Sequence, residues 1–179
     1  MSNEVNATKA NEAPTRLADG TYQPVLTVSD LDRCGRRWML GASIYNYESQ
    51  CAPAVMFATE PALRKIYAGD EEGYRRSLLS TYRYYNATPQ VSGLLLGAGL
   101  ALEDKGHNDA IDAVQDLKIG LMGSLSGVGD TIFAILIPTI FGSIAAYMGQ
   151  AGNPVGVLLW LAVAIAIFVW KLFDWRIGY

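Results

Sequence analysis

Residues 131–170 read TIFAILIPTIFGSIAAYMGQAGNPVGVLLWLAVAIAIFVW, forty positions without an Asp, Glu, Lys, Arg or His. Of the chain's 14 Lys and Arg and 17 Asp and Glu, only Lys171, Asp174 and Arg176 follow residue 130. A soluble fold of 179 residues must place charges somewhere in such a stretch, so this one defines a membrane protein. The polar linker 149–154 divides it into two spans. The first, 131–148, makes about 27 Å of helix at the usual rise, close to the ~30 Å of a bilayer core. The second is 155–170.

Outward on the C-terminal side, Lys171 and Arg176 follow the second span, whereas the linker carries no positive charge. The positive-inside rule then puts both ends in the cytoplasm and the linker outside. On the N-terminal side, the span is entered through GLMGSLSGVGD, residues 120–130. Gly120, Gly123, Gly127 and Gly129 allow close backbone approach or positive φ, and Asp130 closes the motif at the membrane edge. Two readings stand: a functional loop, or helix packing through Gly123 and Gly127 with Asp130 capping a helix that starts at Thr131. The motif is no phosphate loop, since no Gly-Lys-Ser/Thr follows, and no dinucleotide fingerprint, since the third glycine is missing. Gly127-Val-Gly-Asp130 also has the form used by intramembrane aspartyl proteases, which need a second aspartate to share a proton. The one downstream candidate, Asp174, lies past Lys171, so that reading is poor.

Further upstream the pattern is amphipathic and broken. Residues 1–26 show no periodicity and no apolar leader, and read as a disordered tail. Ser29 is expected as an N-cap, followed by Leu31, Cys34, Trp38, Ala42 and Tyr45 at helical spacing. Arg33, Arg36 and Arg37 collect on another face, as on a membrane-surface helix or a solvated one. Residues 38–68 are apolar but interrupted by Glu48, Pro53, Glu60 and Pro61, which suits a hairpin or discontinuous helix within a membrane complex. Residues 70–86 form a second amphipathic helix whose Tyr74, Leu78 and Tyr82 suit an interfacial aromatic belt. Residues 90–102 are uncharged and too short to span, so they read as re-entrant or as a buried core helix with Gly93 and Gly97 at its packing face. Residues 103–118 are expected as an acidic loop and short helix.

Within this part, residues 45–50, YNYESQ, place planar amides, a carboxylate and aromatic faces within six residues. Sugar recognition needs such groups for paired hydroxyls and for the ring's C–H surface, and a buried hydrogen-bonded helix contact would use them as well. Other chemistry has little raw material. A pI near 5.1 argues against nucleic acid as a partner. Cys34 and Cys51 have no metal-ligand spacing, and His107 is the single histidine. No catalytic residue, metal or cofactor is expected.

Taken together, these strings resemble the IID component of the mannose/fructose/sorbose family of the sugar phosphotransferase system. The matching pieces are YNYE (45–48), PALRKIY (61–67), YYNATP (84–89), LALE (100–103), KIGLMGSLSGVGD (118–130) and the final Gly178-Tyr179. The departures are Ser124 where the family usually has proline, Ser49-Gln50-Cys51 where it has Arg-Met-Gln, and Ser80-Thr81-Tyr82 where a histidine is common. Members generally continue past the Gly-Tyr, so the chain is expected to be a short or C-terminally truncated form.

The resemblance implies a multi-pass subunit of the inner (cytoplasmic) membrane. It would pair with a IIC subunit and move a hexose or amino sugar, while cytoplasmic IIA and IIB domains supply the phosphoryl group. With no phosphorylatable residue in a soluble fold, this chain would translocate and perform no covalent step. A non-transporting scaffold or receptor paralogue is the alternative. The expected fold is an all-α membrane protein: a tail over 1–26, amphipathic and re-entrant helices over 27–130, and two transmembrane helices over 131–179. The residues expected on the substrate path or an interface are Asn46, Tyr47, Glu48 and Gln50. Gly120, Gly123, Gly127, Gly129 and Asp130 are expected to form the structural or functional loop.

Overall fold

The computed structural model describes residues 14–41 and 43–179. Residues 1–13 of the expected tail, and Ala42 of the expected apolar stripe, lie outside the described residues. Among the described residues seven α-helices follow in order: α1 Val28–Gly41, α2 Ala52–Ile66, α3 Glu71–Thr81, α4 Ser92–Gly106, α5 Ile111–Gly129, α6 Ile137–Gln150 and α7 Val155–Gly178. A 3-10 turn, His107–Ala110, joins α4 to α5, and a π-helical segment, Asp130–Leu136, joins α5 to α6 without a break.

Local chemistry explains most of the boundaries. Thr27, and not Ser29, opens α1. Its backbone N–H and hydroxyl both donate to Asp30 Oδ2 at 2.7 Å, the reciprocal half of a capping box. Neither proline breaks α2. Pro53 sits in the first turn, where its missing N–H is no loss. Pro61 lies inside the helix and leaves the carbonyl of Phe57 without its partner four residues on. Arg37 Nε donates to that carbonyl at 2.6 Å, so the orphan is satisfied from α1. Of the hairpin or discontinuous helix expected over 38–68, the structure shows the hairpin: the end of α1, a loop and an unbroken α2 running back along it. Asp70 caps α3 by accepting from Gly73 N–H at 2.9 Å.

The helices run alternately between two ends of a bundle, and the contacts fix their register. Between α1 and α2, Asp30 meets Lys65, while Arg37 meets Phe57 and Glu60. Between α1 and α7, Asp32 meets Arg176, and Gly35 meets Trp175 and the Leu172 carbonyl. Between α4 and α7, Gln90 just ahead of α4 meets Trp170, Gly93 meets Asp174, and Gly97 meets the Trp175 carbonyl. One pole holds Asp104, Lys105, His107 and Tyr179. The other holds the loops 43–51 and 82–91, and from it α6 and α7 project as a hairpin. We call these the polar pole and the foot.

The core is built of Leu31, Cys34 and Trp38 from α1, of Val55, Leu63 and Ile66 from α2, and of Leu95, Leu96 and Leu100 from α4, with Tyr85 and Trp175. Glycine at 93 and 97 lets α4 touch α7. A Cβ on Gly93 would lie 2.2 Å from the Asp174 carboxyl, and one on Gly97 would lie 2.6 Å from the Trp175 carbonyl. Burial pushes the Cys34 thiol up to about 12, which removes it from thiolate chemistry. Tyr74 is also a core residue, so the expected aromatic belt does not run along α3.

Three further expectations are corrected. Residues 14–26 are not a free tail over their described length: Tyr22 N–H donates to the Lys105 carbonyl at 2.8 Å, and Val25 and Leu26 N–H donate to Asp104. The buried Asp104 carboxyl supplies the acceptor that composition alone does not reveal. Residues 120–130 form helix and not a loop, and the expected boundary between 130 and 131 falls inside a continuous helix. Asp130 has helical backbone angles and caps nothing. From Ile111 to Gln150 that helix covers about 60 Å at the usual rise. The π-segment lies just ahead of Pro138, whose ring would clash with a carbonyl in a regular turn.

The hairpin closes through a turn in which Gly152 takes φ +73° and Asn153 Oδ1 accepts from Val155 N–H. Gly156 packs on Ala145 and Met148. Leu158, Leu161, Ile165 and Phe168 face outward, as lipid-facing side chains do.

Candidate functional site

Three of the stretches singled out in the sequence meet at the foot. The loop 45–50 closes on itself: Asn46 and Gln50 exchange backbone hydrogen bonds at 3.2 and 3.1 Å. Asn46 Oδ1 accepts from Ser49 N–H at 2.6 Å, and its amide donates to Ser49 Oγ at 2.9 Å. Gln50 adopts φ +57°, donates to the Tyr47 carbonyl at 2.9 Å and accepts from the Tyr45 hydroxyl. The loop is thus fixed by its own polar side chains. It leaves Tyr47 94% exposed and Glu48 also exposed at its tip.

The segment 84–88 stitches this loop to α5. Cys51 N–H donates to the Tyr85 carbonyl at 2.9 Å, and Tyr85 N–H donates to the Ser49 carbonyl at 3.3 Å. Farther along, Asn86 N–H meets Met122 Sδ at 3.0 Å. The Thr88 hydroxyl lies 3.1 Å from the Ser126 carbonyl and 2.6 Å from Asp130 Oδ1. Gly129 is needed here, because a Cβ on it would lie 2.6 Å from the Thr88 side chain. By contrast, nothing lies within 4 Å of a Cβ built on Gly120, Gly123 or Gly127. These three share one helical face at spacings of three and four residues, and none takes a positive φ.

The structure therefore brings Asn46, Gln50 and Asp130 to one junction through residues 84–88, and holds Tyr47 and Glu48 outward beside it. Gly120, Gly123 and Gly127 stay on an open face. The Glu48 carboxyl is not buried in an apolar stretch, since the loop carries it to the surface. Asp130 and Asp174 do not form a pair: Asp130 is held by Thr88, while Asp174 accepts from Gly93 N–H at 3.0 Å.

The sequence reading missed the charges inside the bundle. Glu103, Asp104 and Lys118 are all buried. Glu103 Oε1 accepts from the Tyr67 hydroxyl at 2.8 Å, and burial together with that carboxylate drives the phenol well above its ordinary range. Asp104 accepts from two backbone N–H groups and from the Tyr179 hydroxyl at 2.6 Å. The available signal was Glu103-Asp104 ending an uncharged, glycine-rich run, where carboxyls need partners. A surface cleft of about 480 Å³ lies near the polar pole, lined by Asp30, Arg33, Arg64, Lys65, Glu71 and Tyr74 among others. Burial raises the Asp30 carboxyl, but the Lys65 ammonium at 2.7 Å and Thr27 outweigh it and hold the group below its usual range.

A bundle of alternating helices, an apolar two-helix hairpin and a motif junction where the hairpin leaves the bundle define an all-helical membrane protein. Residues 25–179 match the family model described as PTS system mannose/fructose/sorbose family IID component, and the chain belongs to that family. It is 34% identical over 142 residues to the PTS system mannose-specific EIID component of Escherichia coli K12, covering 78% of this chain and 50% of that one. To the fructose permease IID component of Bacillus subtilis it is 30% identical over 146 residues, covering 79% and 52%. A solved structure titled "CryoEM Structure of Mannose Transporter ManYZ and Microcin E492 (MceA) complex" superposes with a TM-score of 0.79 at 29% identity, covering 88% of this chain and 59% of that one. The chain spans about half the length of the curated relatives it matches.

Proposed function

We propose that this chain is a translocating subunit of a phosphotransferase-system sugar permease, working with a IIC membrane chain on a hexose or amino sugar. Cytoplasmic IIA and IIB subunits supply the phosphoryl group, and this chain makes no covalent bond itself. The observation that supports this most is the convergence of residues 45–50, 84–88 and 122–130 at the base of the hairpin. These stretches also carry the family likeness. Glu48 offers a free carboxylate at the loop tip, an acceptor for a sugar hydroxyl, and Asn46 shapes the loop that presents it through its bonds to Ser49. Gly120, Gly123 and Gly127 offer a face on which a partner helix can approach closely. The inner membrane is its location, with Arg36 and Arg176 on the cytoplasmic side and residues 149–154 outside. Both arginines line one surface hollow with Asp32, so they share a side of the molecule.

The test is co-expression with a tagged IIC chain, followed by sugar binding to the purified complex. Recovery of both chains is expected, with affinity falling ten- to a hundredfold in Glu48→Gln. That is the loss of one charged acceptor worth ~1.5–3 kcal/mol. Unchanged yield and unchanged affinity would remove Glu48 from both the path and the interface.

A further inference from the structure

We infer that the foot is itself a lipid-binding surface: the loops 43–51 and 82–91 rest in the headgroup layer of the leaflet from which the hairpin enters the bilayer. The inference rests on reading α6 and α7 as membrane-spanning. Register supplies the first argument. Along α7 the levels run from Arg176, paired with Asp32 of α1, through Trp175 and Leu172 beside Gly35, to Trp170, whose indole N–H donates to the Gln90 carbonyl at 2.8 Å. Since α1 runs against α7, its end at Gly41 and the following loop continue past this level toward the hairpin. Trp38 Nε1 marks the same level by donating to the Pro89 carbonyl at 3.2 Å. On the long helix the contact of Asp130 with Thr88 puts the start of the uncharged run beside the same loop.

Surface chemistry supplies the second argument. Leu40 is 74% exposed, and Ile44, Tyr45, Tyr47 and Tyr84 of the two loops are exposed as well. The two loops carry one charge each, Glu48 and Arg83. The polar pole, by contrast, is rimmed by Asp70, Glu71, Lys105 and Asp109. Tyrosines with a few aliphatic neighbours and sparse charge are what the headgroup boundary selects, because the ring enters the acyl region while the hydroxyl stays wet. The loop 82–91 also touches the base of the hairpin at both of its legs, through Thr88 to Asp130 and through Gln90 to Trp170, so a bilayer that receives the hairpin begins at the level of this loop. This relocates the aromatic belt from α3, where Tyr74 is buried, to the loops of the foot.

Spin labels on the full chain in phosphatidylethanolamine/phosphatidylglycerol vesicles test this. Cysteines replace Tyr47, Leu40, Glu71 and Leu161 one at a time, in a Cys51→Ala background whose remaining Cys34 is buried. Labels at Tyr47→Cys and Leu40→Cys should be several times more accessible to oxygen relative to a water-soluble nickel chelate than the label at Glu71→Cys. If they match Glu71→Cys in vesicles, the foot stands in water and the inference fails. It fails equally if they become protected only when a IIC chain is added, since the surface is then a protein interface. Leu161→Cys separates the underlying reading: a chelate-accessible label there would overturn the membrane assignment of the hairpin itself.

Discussion

Asp104 closes the polar pole by holding three donors from two distant parts of the chain. Val25 and Leu26 N–H and the Tyr179 hydroxyl all point at one buried carboxyl. Removing it leaves these donors unpaired, at about 1–3 kcal/mol each. Asp104→Ala should therefore lose on the order of 3 kcal/mol or more, and Tyr179→Phe only about 1–1.5. Thermal unfolding of the detergent-solubilised chain measures both, and equal effects would contradict the shared-acceptor account. Asp70 gives a prediction with a pH sign. The Gly73 N–H, and then the Asn108 amide, hold its carboxyl below the ordinary range. A carboxyl depressed in the folded state stabilises above its unfolded value, near ~4, and that stability is lost as pH falls through the folded value. Asp70→Ala should cost about 1 kcal/mol at neutral pH. The gap to wild type should close in strong acid, and a gap that stays constant with pH would argue against the cap.

At the scale of elements, the long α5–π–α6 helix shows what a sequence can and cannot disclose. The two apolar spans were legible because lipid demands uncharged residues over a fixed length. The glycine motif was legible as unusual, but four glycines read equally well as a loop. Helix is favoured because Leu117, Met122, Leu125 and Ser126 turn one face onto the bundle or residues 84–88, and that tertiary contact is invisible in the string. The same holds for Pro61, which is tolerated because Arg37 from another helix takes the freed carbonyl. The junction itself was half legible: residues 45–50 and 120–130 stood out by composition, 84–89 only through the family resemblance, and nothing marked Thr88 within it as the tie. A consequence follows for Gly123. Helical and open on its outer side, it should accept alanine in the isolated chain, with a gain of up to about 1 kcal/mol from helix propensity. If the face receives a partner helix, the same substitution should lower recovery of the complex. Paired melting and pull-down measurements decide, and destabilisation of the chain alone would show that the face is already occupied.

The whole molecule is a bundle whose helices alternate between a charged pole and an aromatic foot, with one hairpin leaving through the foot. That arrangement couples the hairpin to the bundle through Asp130 to Thr88, Trp170 to Gln90 and Asp174 to Gly93. Residues 171–179, expected with the transmembrane helices, also complete the bundle core through Trp175 and Tyr179. The pattern of charges announced the spans, whereas the return of α7 into the bundle depends on glycines at 93 and 97 that fit many other partners equally well. The central claim is that this chain is the membrane part of a sugar permease and needs a IIC partner to act. Uptake of radiolabelled hexoses and amino sugars tests it most directly, in cells that lack their own system and receive the IIC, IIA and IIB chains with or without this one. The account predicts phosphoenolpyruvate-dependent accumulation of at least one sugar only when this chain is present. Accumulation that is identical without it, or absent in a stable complex of all the chains, would contradict the account.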